Sequence, residues 1–139
     1  MERSRFENLR IYKLSEELAD HIWEIVLKWD HFPRSTVGIQ LVKAADSIGA
    51  NIAEGTGRGS RKENRRFALI ARGSLYEVRH WLRRACRRNL LSREEIGLLE
   101  KIVNDLTPRL GAYIKTLKTE PKTNASRNNK QQATDNILS

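Results

Sequence analysis

SRKENRRFALIARGSLYEVRHWLRRACRR, running from Ser60 to Arg88, is the stretch whose reading decides the fold. Its residues Phe67, Ala71, Ser74, Val78, Trp81, Leu82 and Ala85 return every three or four positions and gather on one side of a helix turning about 100° per residue. Ser60 and Glu63 have the spacing of a capping box, in which the hydroxyl bonds the third amide and the carboxylate bonds back to the cap. The spacing therefore predicts a helix from Ser60 to about Arg88, roughly 43 Å long at 1.5 Å per residue.

The same periodicity extends to both sides of this stretch. Upstream, Ile11, Leu14, Leu18, Ile22, Ile25 and Trp29 mark a first amphipathic helix from about Ile11 to Trp29. Tyr12, Ala19, Trp23, Val26 and Leu27 widen its apolar surface beyond one core face, which leaves two readings: a helix deeply buried in a bundle, or a subunit interface. His31, Phe32 and Pro33 interrupt the pattern because proline disfavours helical geometry before it, and a short loop is expected there. Ser35 or Thr36 then caps a second helix bearing Leu41, Ala44, Ala45, Ile48 and Ile52, which runs to Glu54 before Gly55, Gly57 and Gly59 permit a turn. Its small residues allow close approach of a neighbouring helix.

Downstream, Ser92 and Glu95 repeat the capping box and open a fourth helix. Ile96, Leu99, Ile102, Val103, Leu106, Leu110, Tyr113, Ile114 and Leu117 form its stripe. Pro108 falls opposite that stripe, so a bend convex to solvent is expected rather than a break. With no strand-like alternation and no tandem repeat, the expected fold is all-α: an antiparallel up-down four-helix bundle over residues 1–118. Residues 119–139 are rich in Thr, Asn, Gln, Ser and Lys, with almost no apolar residue before Ile137 and Leu138, and read as a disordered polar tail.

A chain of 139 residues suits one domain with one core. No apolar run of membrane-spanning length and no signal-peptide pattern appears, so a cytoplasmic protein without membrane attachment is expected. Cys86 is the single cysteine, which excludes an internal disulfide framework, and it is expected to be a small buried apolar residue. The net charge of +9 is concentrated: Thr56 to Arg93 holds twelve Lys or Arg against Glu63 and Glu77, a net +10, and the rest of the chain sums to −1. Local density of this kind sets the field that a polyanion meets.

On the helical wheel, Arg61, Arg72, Arg79, Arg83 and Arg87 fall within about 40° of Arg65, as does Arg58 if the helix is extended back to it. Leu69 and Tyr76 share the line, and Lys62, Arg66, His80 and Arg84 flank it. A guanidinium donates two parallel hydrogen bonds to a phosphate and stays charged at physiological pH. Arg61, Arg65, Arg72, Arg79, Arg83 and Arg87 are therefore candidate phosphate contacts, with Tyr76 a candidate for stacking on an unpaired base. The plain alternative is a solvated face, or pairing with Glu16, Glu17, Asp20 and Glu24 of the first helix.

Other constellations carry less. Ser47, Asn51 and Glu54 share a polar flank of the second helix, and Gly73 and Ser74 fall near the packing side of the third, so a small polar site is one reading of them. They read as structural: Asn51 and Glu54 satisfying the glycine turn and pairing with Arg58 or Arg72, and Gly73 and Ser74 permitting close helix approach. Glu77 and His80 have the Glu-x-x-His spacing of di-iron bundles, but no second such pair exists on another helix. GTGRGS lacks the lysine of a phosphate-binding loop. No catalytic constellation, metal site or cofactor site is expected, and Asn124-Ala125-Ser126, a glycosylation sequon, reads as tail sequence.

NIAEG (Asn51 to Gly55), GRGSRKE (Gly57 to Glu63) and IARGSL (Ile70 to Leu75), with the opening FENLRIYKLSEELA and a following Phe-Pro, resemble the 23S rRNA intervening-sequence proteins, also called the S23 family. The resemblance covers about Phe6 to Leu117. It departs at Thr36, where the family usually has an acidic residue, and at Pro108. It implies a four-helix bundle, a bacterial source and a ring-shaped homopentamer that binds nucleic acid. Residues and resemblance together point to a non-enzymatic oligomer binding RNA or single-stranded DNA, with self and nucleic acid as partners. The alternative is an interaction scaffold whose basic surface docks an acidic protein such as a polymerase or reverse transcriptase.

Overall fold

The computed structural model describes residues 9–118. The predicted tail at 119–139 and the first eight residues lie outside the described residues. Four helices form the body: α1 (Arg10–Leu27), α2 (Ile39–Thr56), α3 (Arg61–Arg87) and α4 (Arg93–Thr116), with no strand among the described residues. Each helix packs on its neighbours in sequence and α4 returns to α1, while the backbones of the diagonal pairs α1/α3 and α2/α4 stay apart. The core is built from one stripe per helix: Leu18 and Ile22, Leu41, Ile48 and Ile52, Leu75, Val78 and Leu82, and Leu99, Val103, Leu106 and Leu110 are all fully buried. Burying each such side chain contributes roughly 1.5–3 kcal/mol.

The approach to α2 differs from the expected loop and cap. Only Lys28 to Asp30 separate α1 from a helical lead-in, His31–Pro33, which passes through a π-helical stretch, Arg34–Gly38, straight into α2. Pro33 is tolerated because the amides of a first turn lack intrahelical acceptors in any case. Neither Ser35 nor Thr36 caps a helix; both hydroxyls donate backwards to the Phe32 carbonyl, at 3.2 and 2.7 Å. The π turn is crowded at Gly38, where a Cβ would lie 2.7 Å from Val26 Cγ1.

The turn after α2 also works differently from expectation. The helix continues through Gly55 to Thr56, and no glycine among the described residues has positive φ. Gly55 serves close approach instead: a Cβ there would meet Asn64 Oδ1 at 2.8 Å and Phe67 Cβ at 2.9 Å. Gly73 faces open space, so the contact expected of it is made by its neighbour, with Ser74 Oγ 2.8 Å from Ser47 Oγ.

Both capping signals mark true helix starts. Ser92 and Glu95 complete the reciprocal box. At Ser60 only half forms: its Oγ accepts from the Glu63 amide at 3.1 Å, while the Glu63 carboxylate turns to Arg66. The α3 terminus is closed by Asn89 at φ 59°, with the Leu90 amide donating to Ala85 O and the Asn89 amide to Cys86 O, a Schellman arrangement. Pro108 lies exposed within α4, which runs through it unbroken.

Candidate nucleic-acid interface

The line of arginines on α3 runs along the flank of its buried stripe rather than directly opposite it. Ala68 and Leu75, on the edge of the stripe nearest the line, are fully buried, and the residues beside them inherit part of that burial. Arg61, Arg83 and Arg87 are exposed, and Arg65 and Arg72 are half-buried. Arg79 is 8% exposed, with its guanidinium 4.8 Å from the centre of the Tyr76 ring. Arg79 is therefore corrected from a surface phosphate contact to a buried side chain of this protomer. Tyr76 keeps 43% of its surface exposed, and one face of its ring is covered by Arg79.

Arg58 leaves the line altogether. It precedes α3, pairs with Glu54 at 2.8 Å and lies over the Phe67 ring on the far side of the helix, 4.9 Å from its centre. Arg66 covers the same ring at 4.5 Å. Of the pairings weighed for Asn51 and Glu54, the Glu54–Arg58 pair forms, while Asn51 Nδ2 donates to the Ser47 carbonyl at 2.8 Å rather than to the glycine turn.

At this same end of the strip, Arg61 donates to the Thr116 carbonyl and Asn64 Nδ2 donates to the Tyr113 hydroxyl at 3.1 Å, anchoring the start of α3 to the end of α4. The two acids of α3 are both engaged away from the line. Glu63 accepts from Arg66 Nε at 3.2 Å, which holds its carboxyl below the usual range. Glu77 accepts from the Trp81 indole at 3.3 Å, which gives it a structural use in place of the metal spacing it shares with His80. The acids of α1, Glu16, Glu17, Asp20 and Glu24, are exposed, and the α1 and α3 backbones do not approach each other closely. Within α3 itself the strip is a line of guanidinium groups with no acid in it.

Two further residues depart from expectation. Cys86 is exposed rather than buried, and with Arg83, Arg87, Leu91 and Ile96 it lines a pocket of about 210 Å³ between the end of α3 and the start of α4. Trp23 and Leu27, which the width of the α1 stripe left open, are 52% and 51% exposed on its outer face, so deep burial is not their role. Sequence periodicity missed the groove between the α2 lead-in and α3, since Phe32 and Trp81 belong to segments 49 residues apart. No helix among the described residues is long and apolar enough to cross a membrane.

Comparison with known proteins agrees with the helical plan. A solved protein of unknown function from the S23 ribosomal protein family of Bacteroides thetaiotaomicron is similar, with a TM-score of 0.68 and 25% identity, over 76% of this chain and 98% of the other. No curated protein matches. The model of the family described as 23S rRNA-intervening sequence protein matches residues 7–112. With its capped helices, its glycine-bridged α2–α3 connection and that match, the chain belongs to the 23S rRNA-intervening sequence protein family.

Proposed function

We propose that this protein is a non-enzymatic, cytoplasmic homo-oligomer that binds RNA or single-stranded nucleic acid through the arginine strip of α3. Arg61, Arg65, Arg72, Arg83 and Arg87 make the phosphate contacts, Arg79 holds Tyr76 in place, and the free face of Tyr76 stacks on a base. The observation that carries this reading is electrostatic: neither acid of α3 lies on the strip, because Glu63 is committed to Arg66 and Glu77 to Trp81. Guanidinium groups in such a field bind phosphates by fork geometry and release condensed counterions.

The oligomer is a pentamer in this reading. Support comes from Trp23 and Leu27, an apolar pair one turn apart that the single protomer leaves half exposed. The bundle is antiparallel and up-down, as the pairing of Asn64 near the start of α3 with Tyr113 near the end of α4 favours.

Fluorescence anisotropy of labelled oligouridine and of a DNA duplex, titrated at several salt concentrations, tests the proposal beside an Arg72→Glu, Arg83→Glu, Arg87→Glu variant. Arg79 is left intact because its burial would confuse folding with binding. Salt-sensitive binding that the variant loses is the expected result. Unchanged binding in the variant would overturn the strip as the site, and capture of an acidic polypeptide in place of oligouridine would favour the scaffold reading. Light scattering gives the particle mass, and a monomer at micromolar concentration would remove the pentamer.

A further inference from the structure

Phe32 is 75% exposed, more than any other large apolar side chain among the described residues, and its position is built rather than loose. Its carbonyl holds the hydroxyls of Ser35 and Thr36, and the π turn behind it is pressed against α1 at Gly38. With Pro33, Trp81, Arg88 and Leu90 it lines an open groove of about 630 Å³. The opposite wall is equally well fixed. The Trp29 indole donates to the Leu90 carbonyl at 2.9 Å, the left-handed Asn89 sets the path between Arg88 and Leu90, and Glu77 and His80 hold Trp81 by a hydrogen bond and an edge-on ring contact.

Charge links this groove to the strip. Arg83, Arg84 and Arg87 occupy the last turns of α3 and Arg88 caps it, and at about 100° per residue they spread from the strip round to the groove. A backbone following Arg83 and Arg87 is thereby led to Arg88 at the groove's edge. Two aromatic side chains, a proline and a cation form the pattern that receives unstacked bases: the rings supply π-faces and the guanidinium a phosphate contact or a stacking plane.

We infer that the groove bounded by Phe32, Trp81 and Arg88 holds an unpaired nucleobase of the strand whose phosphates lie on the arginine strip. The inference rests on the proposed function and narrows it: selectivity for single strands resides in this groove, and the Tyr76 face is secondary. Duplexed bases are already stacked on each other and have no free face to offer.

The test compares wild type with Phe32→Ala and Arg88→Gln, using labelled oligouridine and a DNA duplex in anisotropy titrations across salt. Phe32→Ala removes an exposed ring and leaves the core intact, so folding is retained, which circular dichroism verifies. It is expected to weaken oligouridine binding by about fivefold or more, the loss of one stacked base, with the salt slope and duplex affinity unchanged. Arg88→Gln is expected to lower the salt slope, by about 0.7 for a single strand. Wild-type affinity for oligouridine in Phe32→Ala would overturn the groove while leaving the strip standing. A change of particle mass in Phe32→Ala would overturn it in favour of a contact between copies of the chain. Failure of the wild-type protein to bind either probe would overturn the strip and the groove together.

Discussion

The Arg79 guanidinium lies 4.8 Å from the centre of the Tyr76 ring and the residue is only 8% exposed, so one member of the arginine line is part of the folded body. Its aliphatic stem packs at the edge of the α3 core stripe, and its charge rests on a ring face. Arg79→Ala is expected to destabilise the protein by about 1–3 kcal/mol, through lost packing and the lost ring contact. Exposed Arg87→Ala should stay within about 0.5 kcal/mol of wild type. Urea denaturation followed by circular dichroism separates the two, and equal effects would mean that the burial of Arg79 contributes nothing.

Gly55 and Gly73 sit in adjacent helices with opposite surroundings. A methyl group at Gly55 meets the Asn64 carbonyl at 3.1 Å as well as its side chain, and backbone yields less than a flexible side chain. Gly55→Ala should therefore cost about 1–3 kcal/mol. Gly73→Ala places its methyl in open space inside a helix and should stabilise by about 0.5–1 kcal/mol. Thermal melts of the two variants should move in opposite directions; a shift in the same direction would contradict the close approach of α2 and α3.

Asn89 carries the positive φ that closes the Schellman turn. Asn89→Gly should be tolerated, and Asn89→Val should cost about 1–2 kcal/mol because a β-branched side chain is strained there. Because Leu90 and Arg88 flank this residue, the valine variant should also blunt oligouridine binding, readable in the same anisotropy assay.

Two surface carboxylates should respond to acid with opposite sign. Hydrogen bonding and charge from Arg109, with Arg10 adding to both, hold Asp105 below its ordinary value of 3.8. Its contribution is present above that value and is lost as pH falls through the depressed folded-state value. Asp46 is raised by desolvation and by the neighbouring charge of Asp20, so its ionised form costs stability above its ordinary range and that cost fades in acid. At neutral pH Asp105→Asn should lower the melting temperature and Asp46→Asn should raise it. Both differences should vanish in strong acid, and melts recorded across pH check the signs.

Salt dependence measures how many strip arginines touch phosphate. Each neutralised phosphate of a single strand contributes about 0.7 to the slope of log affinity against log salt. The Arg72, Arg83 and Arg87 triple variant should lower the slope by about 2. A parallel line with lower affinity would mean that these residues shape the site without contacting phosphates.

The helices were legible because their signals are local. Apolar spacing and the Ser60 and Ser92 caps place α1, α3 and α4 within about two residues of their observed ends. The start of α2 was not legible: Pro33 reads as a stop in isolation, yet it is accommodated in a first helical turn held by Ser35, Thr36 and the packing at Gly38. The wheel put six arginines on one line but could not say that Arg65, Arg72 and Arg79 would be sheltered to different degrees.

By itself, the sequence determined that the chain makes four amphipathic helices and that its positive excess falls on the third, since both follow from residue order and the helical repeat. Only the tertiary structure decided which guanidiniums reach solvent, that Arg58 turns to Glu54 and Phe67, and that Phe32 and Trp81 wall one groove. Those outcomes depend on which helix faces which. That choice is made by packing between segments far apart in the chain, where local periodicity carries no information.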